Sequence, residues 1–245
     1  MREYFRLSRT LTYSLLFVAP LFILYEIGAA YLNGLESTPL RNGADVLLRT
    51  LVAAGGVRST AGFTGVLLVI ALVLIIVERR RQRVPLRATV FAGMLLESLA
   101  YALIFGAVVG TATQWVLRGT RLGLAAAAGP VSGLSLREGL VLSLGAGIYE
   151  ELVFRVLLVG GLFGVFRSSG VGRRPAGFFS ATLAALVFSG FHYIGPYGDP
   201  FTIASFLFRF LAGLAFSALF LVRGFGVTAW THALYDVVLF LARGL

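Results

Sequence analysis

The 245-residue chain contains no cysteine and no lysine, and its only histidines are His192 and His232. Without cysteine, disulfides, thiolate metal ligands and a cysteine nucleophile are excluded. Charged residues are also scarce, at 13%, whereas 58% of the residues are hydrophobic and the mean hydropathy is +0.89. This composition excludes an ordinary soluble globular domain and predicts a polytopic membrane protein.

The net charge of +10 comes from 21 arginines, which are scattered between apolar segments. Arginines in such positions set membrane topology and contact anionic lipid. We therefore predict that the partner of these arginines is the lipid bilayer and not nucleic acid. An arginine-rich chain without lysine is typical of a GC-rich prokaryotic genome, so we expect an integral protein of a prokaryotic plasma membrane.

A membrane-spanning helix needs about 20 mostly apolar residues. The stretch from Asp45 to Gly56 is apolar but too short, and we predict an interfacial or re-entrant segment there. An eighth span at this place is the alternative. The predicted fold is an all-α bundle that forms a single integral membrane domain over residues 1–245. Its seven predicted spans are 11–32, 62–78, 89–117, 138–166, 176–192, 202–222 and 226–242.

The arginines divide unevenly between the two sides of the membrane that seven spans define. The side of the N-terminus would hold twelve, namely Arg2, Arg6, Arg9, Arg79, Arg80, Arg81, Arg83, Arg87, Arg167, Arg173, Arg174 and Arg223. The other side would hold seven, namely Arg41, Arg49, Arg58, Arg118, Arg121, Arg137 and Arg243. Because the arginine-rich side is usually cytoplasmic, we predict a cytoplasmic N-terminus and a C-terminus outside.

Two adjacent glutamates, Glu150 and Glu151, lie in the fourth predicted span. Ionisable side chains at such a depth are costly and therefore indicate a functional site. Arg155 follows Glu151 by four residues, in the order that favours an ion pair on one helix. This pairing would leave Glu150 as the unpaired carboxylate and the proton acceptor. The small residues at 145–147 predict either close helix packing or room for a substrate backbone.

The two histidines lie in other spans, His192 at the end of the fifth and His232 in the seventh. Asp236 follows His232 by four residues, so both project from one helical face. With the glutamate pair, the histidines predict acid/base chemistry inside the membrane. We expect Glu150 and both histidines to converge on one cavity. Straight spans would place them at different depths, so a helix must tilt, break or end inside the membrane, and residues 195–198 are a candidate end.

Three motifs occur in order on three of the predicted spans. They are Glu150-Glu151-x-x-x-Arg155, Phe188-x-x-x-His192 and His232-x-x-x-Asp236. In this order they resemble the motifs of the CAAX-protease and bacteriocin-processing family (CPBP, or Abi) of intramembrane endopeptidases, which includes the type II CAAX prenyl endopeptidase. The resemblance covers residues 138–242, which we expect to be the catalytic core. It implies that Glu151 and Arg155 support the site structurally.

The resemblance also implies catalytic roles. Glu150 and His192 would activate a water molecule for attack on a peptide carbonyl, and His232 and Asp236 would stabilise the oxyanion. The prenyl endopeptidases have asparagine at the position of Asp236, and an ionised carboxylate cannot donate a hydrogen bond to an oxyanion. Asp236 would therefore stay protonated, orient His232 or serve another purpose.

A carboxylate and two histidines also match the ligand set of a catalytic zinc ion with an open position for water. The ligands would then be Glu150, His192 and His232. The family has been described both as metalloproteases and as metal-independent glutamic proteases. Because the three side chains come from three helices, no local metal-binding motif decides the question. We favour a mechanism without a metal or another cofactor.

The predicted function is hydrolysis of a peptide bond in a membrane-associated or lipid-modified peptide or protein. One alternative is a proton- or cation-coupled transporter that uses the same residues as a relay. Another is a non-catalytic immunity protein with the family fold. Internal repeats or polar residues along several helices would favour the transporter, and the sequence shows neither.

Overall fold

The computed structural model of the chain describes residues 2–34, 40–117, 134–195 and 198–243. Within these ranges the chain forms helices joined by turns and short extended segments, and it contains no strand, which confirms the all-α class. The helices are α1 (Arg2–Ser8), α2 (Leu11–Asn33), α3 (Gly43–Ala54), α4 (Thr60–Arg81), α5 (Ala88–Val116), α6 (Leu136–Gly145), the π-helix π1 (Ala146–Val159), α7 (Gly160–Ser168), α8 (Arg173–Phe191), α9 (Ile203–Arg223) and α10 (Phe225–Arg243).

Among the described residues, five helices are long and apolar enough to cross a membrane, namely α2, α4, α5, α9 and α10. They coincide with five of the seven predicted spans. The other two predicted spans, 138–166 and 176–192, are also helical. The first runs through α6, π1 and α7, and the second forms most of the 19-residue α8. The number of seven spans remains a prediction.

The short apolar stretch that follows α2 forms α3, a helix of 12 residues. At 1.5 Å per residue its length is about 18 Å, which is less than the hydrocarbon core of a bilayer. Asn42 begins the helix as its N-cap, because its side-chain oxygen accepts a hydrogen bond from the backbone N–H of Ala44 at 2.8 Å. Such a helix cannot cross the bilayer alone, and its N-cap points into the bundle.

At the centre of the bundle, α10 contacts α2, α5, α6, α9 and π1. Gly147 allows π1 to approach α10 closely, since a Cβ atom there would lie 2.5 Å from the backbone oxygen of Ala229 and 2.7 Å from the Cβ atom of Ala233. Of the two explanations for the small residues, helix packing therefore accounts for Gly147. The close approach brings side chains of π1 within reach of His232 on α10.

Polar contacts join several helices at one end of the bundle. Glu78 of α4 accepts hydrogen bonds from the backbone N–H groups of Leu11 and Thr12 at the start of α2, at 3.0 and 2.6 Å. Arg223 at the end of α9 pairs with Glu97 of α5 at 2.6 Å. We call this the N-terminal end of the bundle, because α1 and the start of α2 lie there.

The opposite end holds the last turn of α2 and the starts of α3, α6 and α9. Arg137 of α6 donates a hydrogen bond to the hydroxyl of Tyr31 of α2 at 3.2 Å. A cavity in the bundle is lined partly by residues from this end, including Leu134 and Asp199. We call this end of the bundle the cavity end.

The surface of α4 shows that the exterior of the bundle is apolar. Only 6% of its most apolar 18-residue stretch is buried inside the bundle, and the side chains of Leu68, Val69 and Leu72 are each more than half exposed. Exposed apolar side chains on a spanning helix contact lipid tails. The structure therefore supports an integral membrane protein.

Candidate active site

Residues of α6, π1, α9 and α10 enclose a cavity of about 430 Å³ together with the N-terminal flank of α3 and the end of α8. Its lining includes Glu150, His192 and His232, so the three side chains that were expected to converge do so. Apolar side chains form much of the remaining wall, among them Phe188, Phe208, Phe216, Leu239 and Phe240. The other polar side chains of the wall are Arg41, Asn42, Ser143, Asp199, Ser205, Arg209, Tyr235 and Asp236.

The end of α8 explains how His192 reaches this cavity. The helix stops at Phe191, and the chain then turns back, so that the backbone N–H of Asp199 donates to the carbonyl oxygen of His192 at 2.9 Å. A helix that ends beside the cavity removes the expected difference in depth. Of the candidate end at 195–198, residues 196 and 197 lie outside the described part of the chain.

Glu150 lies in π1 and is 8% exposed. Its Oε1 accepts a hydrogen bond from the uncharged side-chain amide of Asn42 at 2.9 Å. The sequence did not predict this partner, because α3 brings its N-cap residue against π1 from a distant part of the chain. The other oxygen, Oε2, lies 4.0 Å from Nε2 of His232, which is too far for a direct hydrogen bond.

Asn42 contacts the predicted base but was not predicted as a site residue. Asparagine before a helical segment is a preferred N-cap, so the sequence carried a signal for the start of a helix. It carried no signal for a contact with a residue 108 positions away.

Glu151 is fully buried and contacts two functional side chains. Its Oε2 lies 3.2 Å from Nε of Arg155, which is the predicted ion pair, and its Oε1 lies 2.7 Å from Nδ1 of His232. The guanidinium of Arg155 also lies 4.3 Å from the ring centre of Phe188. A carboxylate at Nδ1 fixes the ring of His232, whose Nε2 then lies between Asp236 at 3.5 Å and Glu150 at 4.0 Å.

His192 is fixed by a different acceptor. Its Nδ1 lies 2.9 Å from the carbonyl oxygen of Phe188. Since a carbonyl oxygen can only accept, Nδ1 carries the hydrogen, and in the neutral ring Nε2 keeps its lone pair. This tautomer is suited to accepting a proton from water.

Asp236 lies one helical turn after His232, and its Oδ2 is 3.5 Å from Nε2 of that histidine. Arg209 on α9 forms an ion pair with Asp199 and donates to the hydroxyl of Ser205 at 2.7 Å. The cavity therefore holds charges of both signs. Its two arginines, Arg41 and Arg209, lie on the side of the cavity that faces the cavity end of the bundle.

A second group of charges fixes α3. Asp45 is fully buried and pairs with Arg41 at 2.8 Å and with Arg49 at 2.6 Å, and both arginines also contact Glu26 of α2. Burial lowers the pKa of Arg41, but the hydrogen bond and charge of Asp45, with the charge of Glu26, outweigh this effect and raise it. Arg41 is therefore held in its charged form.

The described residues contain no group of three or more histidine, aspartate and glutamate side chains that is arranged to hold a metal ion. Glu150, His192 and His232 line the same cavity, and the catalytic steps proposed for them involve no metal.

No curated protein and no solved structure matches the chain. Residues 132–238 match the family model described as type II CAAX prenyl endopeptidase Rce1-like. The matched range contains all six motif residues that were predicted to form the site, whereas Asn42 and α3 precede it. Over residues 132–238 the match confirms the resemblance to the CAAX-protease and bacteriocin-processing family, and it supports a CAAX-type intramembrane protease.

Proposed function

We propose that the protein is an intramembrane endopeptidase that hydrolyses a peptide bond in a membrane-associated or lipid-modified substrate. The observation that carries this proposal is the meeting of Glu150, His192 and His232 at one cavity in the region that matches the protease family. Amide hydrolysis needs a base for water, a proton donor for the leaving nitrogen and donors for the developing oxyanion. The cavity contains side chains for each task.

Glu150 is the base in this proposal. Its Oε2 and Nε2 of His232 are 4.0 Å apart, a separation that a bridging water molecule fits. Glu150, assisted by His192, takes a proton from water as the water oxygen attacks the peptide carbonyl carbon. When the C–N bond breaks, the same proton passes to the leaving nitrogen, so the site returns to its starting state.

His232 stabilises the oxyanion through Nε2. This role requires a hydrogen on both ring nitrogens, and Glu151 provides the acceptor for the one on Nδ1. Of the roles considered for Asp236, its position 3.5 Å from Nε2 favours orienting His232. Arg155 completes the support, because it pairs with the buried carboxylate of Glu151.

The walls of the cavity favour an amphipathic substrate. Phe188, Phe208 and Phe216 offer apolar surface, while Arg41 and Arg209 add positive charge. A peptide that carries a lipid group combines an apolar part with polar peptide groups. Residues from five helices and the flank of α3 could contact both parts at once.

The proposal is tested by peptide cleavage with the purified full-length chain. The probes are a fluorescence-quenched peptide with a farnesylated cysteine three residues before its carboxyl end and an unmodified transmembrane peptide. We expect cleavage of at least one probe, unchanged by EDTA. Glu150→Gln and His192→Ala should lower kcat by at least about 100-fold, the usual contribution of a general base.

Glu3→Gln is the matched control, because Glu3 is an exposed glutamate on α1 that pairs with Arg87 on the surface. This variant should cleave at the wild-type rate. Wild-type activity of Glu150→Gln would refute the proposal. Activity that is lost in EDTA and restored by zinc would replace the metal-independent mechanism with a metal-dependent one.

A further inference from the structure

The carboxylate that we propose as the base is held by a residue from outside the family-matched region. Asn42 is 8% exposed, and its side-chain nitrogen donates to Oε1 of Glu150 at 2.9 Å. Both residues line the cavity. A buried hydrogen bond to a carboxylate is among the stronger hydrogen bonds in proteins, so this contact fixes the orientation of Glu150.

The orientation of the Asn42 amide follows from its neighbours. The side-chain oxygen accepts from the backbone N–H of Ala44 at 2.8 Å, as the N-cap of α3. An N–H group can only donate, so the oxygen must face Ala44 and the NH₂ group must face Glu150. The helix start thereby selects the one amide orientation that can donate to the carboxylate.

Asn42 is itself held in place by α2 and α3. Its backbone N–H donates to the hydroxyl of Tyr25 at 3.2 Å, and that hydroxyl donates to Asp45 at 2.8 Å. The side chain of Tyr149, next to Glu150 in π1, donates to Glu26 of α2 at 2.8 Å. These buried contacts tie α2, α3 and π1 together around the pair.

We infer that Asn42 is a positioning residue of the active site, which holds Oε1 of Glu150 so that Oε2 is directed at the water molecule to be activated. This inference rests on the proposed function. It adds a fourth sequence segment, α3 and its N-cap, to the three motif-bearing segments. Asn42 acts through Glu150 and does not contact the reacting atoms.

Two substitutions separate the positioning role from the capping role. Asn42→Ser keeps an oxygen that can cap α3 but removes the NH₂ group that reaches Glu150. Asn42→Ala removes both. Ser59→Ala is the matched control, because Ser59 is the exposed N-cap of α4 and lies outside the cavity.

Cleavage assays and thermal unfolding of the full-length variants give the first test. We expect Asn42→Ser to lower kcat by about 10- to 100-fold, the worth of a hydrogen bond to a charged group, with little change in KM. Asn42→Ala should lose the same activity but should lower Tm more than Asn42→Ser does, because it also removes the cap of α3. Ser59→Ala should leave kcat unchanged. Wild-type kcat in Asn42→Ser, or an effect on KM alone, would overturn the inference.

A second test does not depend on activity. Asn42→Asp keeps the cap of α3 but places a carboxylate against Glu150, so its Tm should fall by several degrees. Glu150→Gln should restore most of that loss, because the new amide donates to Asp in place of the original bond. Additive Tm changes in this double-mutant cycle would show that the two side chains do not interact and would overturn the inference.

If the wild type cleaves neither peptide, the proposed function fails. The Tm cycle then still shows whether the contact between Asn42 and Glu150 exists. If the cycle is coupled but Asn42→Ser keeps full kcat, the contact is structural only and the positioning role fails.

Discussion

The two histidines of the site are fixed by acceptors of different charge. The ring of His192 donates to an uncharged carbonyl oxygen of Phe188, whereas Nδ1 of His232 faces the carboxylate of Glu151. A carboxylate partner stabilises a positively charged ring far more than a carbonyl does. This difference supports separate roles, proton acceptance at His192 and oxyanion stabilisation at His232, although the residues are chemically identical.

Asp236 gives a prediction at the scale of a single side chain. Asp236→Asn introduces an NH₂ donor at the position where the prenyl endopeptidases have asparagine. We expect this variant to cleave the test peptide at least as fast as the wild type, because the amide can donate to the oxyanion. The measurement is kcat in the peptide assay.

Asp236→Ala serves as the control for the loss of the side chain, and it should lower kcat. A loss of activity in Asp236→Asn equal to that in Asp236→Ala would show that the charge of Asp236, and not a donor at this position, is required.

Among the helices, α3 contributes to the site from outside the family-matched range 132–238. It is too short to cross a bilayer, yet its N-cap contacts Glu150, and its first turn contains the buried Asp45. The ion pairs of Arg41 and Arg49 with Glu26, together with the hydrogen bond from Tyr25 to Asp45, hold this helix against α2. A short helix that is fixed by buried charges can supply a precisely oriented side chain without spanning the membrane.

Removing the charge of Asp45 should therefore affect both stability and catalysis. Asp45→Ala removes one of the two carboxylates that Arg41 and Arg49 share and leaves them only Glu26. We expect this loss to lower the free energy of unfolding by about 3 kcal/mol. It should also lower kcat, because Asn42 loses its support. Denaturation and peptide cleavage measure the two effects.

Glu97→Ala is the matched control at the N-terminal end, where it breaks the ion pair with the buried Arg223. It should lower stability by a similar amount but leave kcat unchanged below the unfolding transition. Equal effects of the two variants on kcat would show that α3 has no special connection with the site.

On the scale of the whole molecule, the chain alternates between two ends. Successive long helices cross in opposite directions between the two ends. Glu78 meets the start of α2 at the N-terminal end, and α8 stops and α9 begins at the cavity end. The arginine count predicts that the N-terminal end is cytoplasmic. If so, the cavity end, with Arg41 and Asp199, faces the outside of the cell.

The absence of cysteine makes this orientation directly testable, since any introduced thiol is the only one in the protein. Ser59→Cys lies at the start of α4 at the cavity end, and Ser169→Cys follows α7 at the N-terminal end; both serines are exposed. In intact cells, a membrane-impermeant maleimide should label Ser59→Cys and spare Ser169→Cys. After membrane permeabilisation it should label both. The reverse pattern would place the cavity end in the cytoplasm.

The membrane class, the all-α fold and the residues that could carry chemistry were predictable from the amino-acid sequence alone. They were predictable because apolar spans and isolated charges are local properties of the chain, and because the three motifs keep their order. The Glu151–Arg155 ion pair was also predictable, because a spacing of four residues on one helix places the two side chains next to each other.

The groups that these residues contact depend on how the helices pack in three dimensions. Asn42 reaches Glu150 across 108 positions, and Glu151 reaches His232 across 81. Such contacts depend on where α8 ends, on how closely Gly147 lets π1 approach α10 and on the ion pairs that hold α3 against Glu26 of α2. None of these follows from periodicity, because packing between distant helices sets them.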